Sequence, residues 1–122
     1  MIFGIGVDIA KCERFKKWLL KPGLLERFFN QEEMLPQKES PSAAQESAKA
    51  QHYAVRFAAK EAFSKALGCG LVFDLRDVFV QNEKSGRPVL RLQKSALEAF
   101  EKHCPKCKDS KIFISLIHEK EY

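Results

Sequence analysis

The stretch Tyr53–Gly70, YAVRFAAKEAFSKALGCG, constrains this chain more than any other. Alanine, leucine, phenylalanine, lysine and glutamate favour a helix, and Gly68 is placed to end it in a left-handed turn. With about 100° between successive residues, Val55, Ala58, Ala59, Ala62 and Ala66 share one face. That face is nearly all alanine, so whatever packs there can approach the helix backbone closely. Glu61 and Lys65 lie one turn apart on a different face, with Ser64 and Gly68 beside them. A carboxylate, an ammonium and a hydroxyl on one strip can hold a metal–phosphate group. The same spacing also describes an ordinary solvated Glu–Lys pair.

A second stretch, Ile2-Phe3-Gly4-Ile5-Gly6-Val7-Asp8-Ile9, is apolar with two glycines and reads as a buried strand over residues 2–8 with close backbone approach. Asp8 sits inside it, and a carboxylate in such a run is costly without a cation or hydrogen-bond donors. Asp8 at a strand end and Glu61 on a facing helix make a hard-oxygen pair suited to Mg²⁺, with waters and substrate phosphates completing the shell. Alternatively, Asp8 caps the helix that follows.

The 122 residues are expected to form a single domain, 1–122. A chain this small buries a limited fraction of its surface, which favours oligomerisation, and ten phenylalanines favour a packed core or a subunit interface over disorder. Residues 11–20 read as an amphipathic helix with Phe15, Trp18 and Leu19 inward, and 24–29 as a second short one. Ser40-Pro41 can open a long helix running to Leu67. Residues 72–81 end in a strand, 82–87 turn, and Pro88–Leu92 return as the second arm of a hairpin. Residues 95–103 form a helix with a Ser95/Glu98 capping box and Leu97 and Phe100 inward. Ile112–Ile117 is the last strand. The fold class is α+β, a small antiparallel sheet packed on a long central helix. No apolar run reaches the length of a membrane span, and no basic-then-apolar leader opens the chain. The expected location is therefore cytoplasmic.

The net charge of +5 is unevenly spread. Lys11, Arg14, Lys16, Lys17, Lys21 and Arg27 crowd one segment against Glu13 and Glu26, a pattern that suits an anionic partner or a solvated helix face. No helix-turn-helix, zinc-finger or aromatic–basic RNA motif accompanies it, so nucleic acid is disfavoured. Cys104-Pro105-Lys106-Cys107 has the spacing of half a zinc site or a redox pair. It follows a helix end instead of opening one, and free thiols are the expected state.

Gly-Ile-Gly-Val-Asp-Ile at 4–9, Arg14, Arg27-Phe28 with Glu32-Glu33 behind, and Arg-Phe-Ala-Ala-Lys-Glu-Ala-Phe-Ser-Lys-Ala-Leu-Gly-Cys-Gly at 56–70 resemble the bacterial holo-acyl-carrier-protein synthases. These are small 4′-phosphopantetheinyl transferases. The likeness continues through Val78–Val80, Asn82, Gly86 and Pro88 to Ser115–His118. It implies transfer of 4′-phosphopantetheine from coenzyme A to a serine of apo-acyl carrier protein, with Mg²⁺ on Asp8 and Glu61 and release of adenosine 3′,5′-bisphosphate.

The same resemblance gives Lys65 the leaving phosphate and leaves the base as Glu61 or a water it orients. Arg56 and Lys60 reach the nucleotide's 3′-phosphate or face solvent. Gly68 lets backbone amides approach phosphate, Gly86 and Pro88 lie near the adenine, and His118 closes the coenzyme A site. Arg14, with Lys17, Lys21 and Arg27, meets the acidic carrier protein. A homotrimer is implied, with no membrane and no nucleic acid. Ile117 replaces the second serine of the family's Ser-x-Ser-His, and the chain stops at Tyr122 where relatives continue with an apolar strand. The competing reading is a non-catalytic basic module that binds an acidic protein or nucleic acid.

Overall fold

A 25-residue helix, α2 (Ala43–Leu67), is the element on which the others are laid. The structure, a computed structural model, describes residues 2–37, 40–107 and 111–116. Before α2 come α1 (Cys12–Leu19) and 3₁₀ turns at Leu25–Arg27 and Gln31–Glu33; after it come a 3₁₀ turn at Leu75–Asp77, β1 (Val78–Asn82), β2 (Pro88–Leu92), α3 (Lys94–His103) and a 3₁₀ turn at Pro105–Cys107. This is an α+β arrangement with one two-stranded antiparallel sheet.

The start of α2 is two residues later than Ser40-Pro41 suggests. Ser42 Oγ accepts from Gln45 N–H at 3.2 Å and Gln45 Oε1 accepts from Ser42 N–H at 2.9 Å, a reciprocal cap that satisfies two orphan donors at once. The end is where Gly68 was expected to place it, with φ 74° and its N–H returned to Ser64 and Lys65 carbonyls. Aromatic rings bind α1 to α2: Phe15 and Trp18 each lie 5.5 Å from Phe57, centroid to centroid.

The hairpin has the expected strands, paired from Val78↔Leu92 to Asn82↔Pro88. The helix after it is capped differently from the Ser95/Glu98 reading. Gln93 is the N-cap and offers no side-chain bond. Instead the Asp77 carboxylate accepts from Ser95 N–H at 3.1 Å and from its hydroxyl at 2.5 Å, which sets a negative charge at the helix N-terminus. The inward face of α3 also shifts: Ala96 and Ala99 are buried, Phe100 is half-buried, and Leu97 is 41% exposed.

Two expected strands are not formed. Residues 2–10 and 111–116 carry no regular secondary structure, and residue 117 lies outside the described residues. Apolar alternation gives a segment strand propensity but not a hydrogen-bonding neighbour, and among the described residues neither segment pairs as a strand. The expectation of free thiols is corrected at Cys104, which is disulfide-bonded; Cys69 is a free thiol.

The deepest polar feature is an ion pair. Lys60 and Glu33 side chains are both fully buried, with Nζ 2.5 Å from Glu33 Oε1. Lys60 Nζ also donates to Leu75 O at 2.9 Å and Val78 O at 2.5 Å. Glu33 Oε1 accepts from Asn30 N–H at 3.1 Å and Oε2 from Val80 N–H at 3.1 Å. Burial lowers the Lys60 pKa and the Glu33 charge opposes that shift. Removing one partner strands the other charge, so Lys60→Ala is expected to cost about 3–5 kcal/mol by urea denaturation.

About two turns earlier on α2, His52 Nε2 lies 2.7 Å from Glu33 O, and burial pushes its pKa from 6.5 down to about 4. The neutral ring donates to that carbonyl. Because the folded pKa is below the unfolded one, this contribution is complete above pH 6.5 and drains as pH falls toward about 4. Urea midpoints measured across that window are expected to fall with pH, and His52→Gln is expected to flatten that part of the profile.

Candidate active site

The C-terminal half of α2 carries the site, and a glycine–alanine seam brings the N-terminal segment to it. A Cβ built on Gly4 would stand 2.3 Å from Ala66 O, and one on Gly6 1.8 Å from Ala62 O. No side chain fits there, so the segment's backbone lies directly on the alanine face of the helix. The alanine face and the two glycines, far apart in the chain, are halves of one contact. Its result is to carry Asp8 across to the strip that holds Glu61 and Lys65.

Lys65 Nζ lies 2.6 Å from Asp8 Oδ1 and donates to Val7 O at 3.2 Å. The Asp8 side chain is 12% exposed and that of Lys65 55%, so a shielded carboxylate holds a solvent-facing ammonium. Glu61 stands beside Asp8, within hydrogen-bonding reach. Partial burial raises its pKa, the neighbouring Asp8 charge and hydrogen bond raise it further, and Arg14 and Lys65 act in the opposite direction. Two converging carboxylates with flanking cations are the environment in which a hard divalent ion replaces a shared proton.

No group of three His, Cys, Asp or Glu side chains that could hold a metal occurs among the described residues. A pair of carboxylates alone suits Mg²⁺, which keeps waters and substrate phosphates in its shell. The donor set therefore fits Mg²⁺ on Asp8 and Glu61, and an N-cap role for Asp8 is not what the structure shows: α1 starts after Lys11 without a side-chain cap. Ser64, in contrast, spends its hydroxyl on its own helix, donating to Glu61 O at 2.8 Å.

The other expected site residues fall in different places. Lys60 is corrected: its ammonium is sealed among Glu33, Leu75 and Val78 and is not presented to a phosphate. Arg56 is half-buried, donates to His52 O at 3.2 Å, and has a buried Nε without a partner among the described residues. Gly68 and Gly86 both have open space where a side chain would be, with φ 74° and 88°. Pro88 lines a hollow of about 380 Å³ together with Glu83, Arg87, Leu90, Lys111 and Ile114. His118 lies outside the described residues.

Arg14, Lys17, Lys21 and Arg27 are all exposed. The Arg14 guanidinium lies 4.8 Å from the Trp18 ring and 5.0 Å from the Phe57 ring, so the aromatic cluster under α1 fixes a cation next to Glu61. Sequence reading assigned no role to Glu33, although a signal was present: Asn30 and Glu33 have capping-box spacing, and they form that box around Gln31–Glu33.

A family model described as the 4′-phosphopantetheinyl transferase superfamily matches residues 4–114. A holo-[acyl-carrier-protein] synthase of Treponema denticola is 47% identical over 98% of this chain and 91% of its own. The crystal structure of a holo-(acyl-carrier-protein) synthase from Bacillus anthracis in complex with CoA (3′,5′-ADP) superposes with a TM-score of 0.71 at 30% identity, over 99% of this chain and 90% of that one. The Helicobacter pylori holo-[acyl-carrier-protein] synthase in complex with coenzyme A gives 0.61 at 28% identity, over 81% and 79%.

The seam is open to a direct check. Gly6→Ala forces a methyl against the Ala62 carbonyl and is expected to raise hydrogen exchange across residues 2–9 while the hairpin stays protected. Unchanged exchange would show that the seam tolerates a side chain.

Proposed function

The chain belongs to the 4′-phosphopantetheinyl transferase superfamily, among the holo-[acyl-carrier-protein] synthases, and from that premise we propose the following reaction. The 4′-phosphopantetheine of coenzyme A passes to a serine of apo-acyl carrier protein, Mg²⁺-dependently, with release of adenosine 3′,5′-bisphosphate. The observation that carries the reading is the meeting of Asp8, Glu61 and Lys65 at one point.

Phosphoryl transfer asks mainly for positioning and charge neutralisation. The serine oxygen forms a bond to the β-phosphorus of coenzyme A as the bond from that phosphorus to the bridging oxygen breaks. The bridging oxygen keeps the electron pair and leaves on the nucleotide. Asp8 and Glu61 hold Mg²⁺, which when bound supplies Lewis-acid polarisation and neutralises pyrophosphate charge. Lys65, solvent-facing and one turn along, pairs with the departing phosphate. The serine proton goes to Glu61 or to a water that Glu61 orients. Gly68 leaves the space beside the phosphate free of a side chain, Arg56 takes the 3′-phosphate, and the hollow by Gly86 and Pro88 receives the adenine.

Arg14, with Lys17, Lys21 and Arg27, presents positive charge to the acidic carrier. Arg14 bridges docking and chemistry because its charge also acts on Glu61. Ile2, Ile5, Val7, Ile9, Val72 and Phe113 are each more than half exposed, an apolar surface that a second copy can cover. It supports the homotrimer that the family resemblance implies. No helix among the described residues is long and apolar enough to cross a membrane, and action in the cytoplasm is part of the proposal. A non-catalytic basic module leaves the Asp8–Glu61 meeting without a purpose.

Incubation with coenzyme A, Mg²⁺ and apo-acyl carrier protein is expected to add the phosphopantetheine mass to the carrier. Asp8→Ala and Glu61→Ala are each expected to lower the rate by at least about 100-fold; a wild-type rate in either removes the cation-site reading. Arg14→Glu is expected to raise KM for the carrier and to flatten its salt dependence, read from initial rates at low and high NaCl.

A further inference from the structure

Lys60 and Glu61 are adjacent, yet one is sealed in the core and the other faces the site. Three oxygens converge on Lys60 Nζ, from Glu33, Leu75 and Val78, at 2.5, 2.9 and 2.5 Å. Glu33 is held in turn by the N–H groups of Asn30 and Val80. Nothing in the proposed chemistry uses either charge. A buried ion pair is also a poor source of net stability, since apolar residues of similar volume often do as well. The pair therefore calls for a role beyond holding the core together.

The other side of α2 shows what that role is. Residues 4–8 meet the helix through glycine on alanine, a contact that brings the two backbones close together. Packing of Phe57 and Phe63 in the core is attractive but non-directional. Three hydrogen bonds to one nitrogen are directional. A carboxylate at a radius of roughly 5–6 Å moves about 2 Å when its helix turns by about 20°. Mg²⁺ binds oxygen at about 2.1 Å with little tolerance, so a displacement of that size opens the site.

We propose that Glu33 and Lys60 are positioning residues: their buried pair sets the rotation and axial register of α2, so that Glu61 faces Asp8 at the spacing a divalent cation needs. The inference rests on the cation-site reading given above, although neither residue touches substrate or metal. Supports of this kind, one step behind the ligands, commonly change metal affinity or turnover by about 10–100-fold.

The test uses the full chain with Mn²⁺ as a spectroscopic probe for the divalent ion. Glu33→Gln and Lys60→Arg are assayed at least about 15 °C below their own melting temperatures, with circular dichroism confirming the fold. Free Mn²⁺ is read by electron paramagnetic resonance, and kcat and KM for coenzyme A by the mass-shift assay. For Glu33→Gln, Mn²⁺ affinity and kcat are each expected to fall by about 10-fold, with KM for coenzyme A within about 2-fold. Lys60→Arg keeps the charge but not the point geometry, and is expected to move both in the same direction by about 3-fold.

A pair that only stabilises the fold lowers the melting temperature and leaves these quantities unchanged in folded protein. Folded Glu33→Gln or Lys60→Arg with wild-type Mn²⁺ affinity and kcat therefore overturns the proposal. Should Glu33→Gln fail to fold, Lys60→Arg decides alone by the same criterion. Wild-type protein that neither binds Mn²⁺ nor transfers the arm overturns the cation-site reading itself, a different result.

Discussion

The ammonium of Lys60 binds three separate pieces of chain to one atom. Through it α2 is tied to the turn at Gln31–Glu33, the turn at Leu75–Asp77 and the start of β1. Each charge is taken out of water, which is tolerable only because every lone pair or proton facing inward has a partner. Around this point the aromatic core assembles, with Phe29 over the ammonium at 5.3 Å and Phe57 beneath α1. The hairpin and α3 follow from β1, with Asp77 carrying the connection into Ser95.

The site lies on the opposite side of the same helix and depends on a different physical device. Gly4 and Gly6 let a backbone rest on Ala66 and Ala62, and this close approach brings Asp8 to Glu61 and Lys65. Partial burial raises the Glu61 pKa, and the neighbouring Asp8 carboxylate raises it further. Lys65 and Arg14 offset part of that charge. The arrangement is ready for a divalent ion and an anionic substrate, and Arg14 extends the positive field toward the surface of α1.

Much of this was legible before any coordinates. The long helix ending at Gly68, the hairpin pairing, the alanine face and the close-approach glycines were evident from residue type and spacing, but that the last two are halves of one contact was not. The pairing of Asp8 with Glu61 was legible too. Residues 2–8 and 112–116 are not strands for a common reason: a strand is defined by its neighbour, and among the described residues neither segment has one. The Ser95/Glu98 cap failed because a carboxylate from another element, Asp77, reached the same N–H first. Leu97 and Ala96 exchanged sides because α3 is oriented by that anchor and not by its own apolar pattern.

What the sequence by itself determined is the local chemistry: where helices begin and end, which faces are small enough for close contact, and which family the motifs match. Those follow from interactions across a few residues, or from patterns carried in the chain itself. Only the tertiary structure decided which lysine serves which purpose. Helical spacing sets Lys65 on the strip with Glu61 and points Lys60 away from it, toward a phosphate or toward solvent. Residues 30–33 and 75–80, distant in the chain, close over Lys60 and give it fixed oxygens, while the Lys65 side chain stays 55% exposed beside Asp8. Burial is a property of what arrives from elsewhere, and no local pattern contains it.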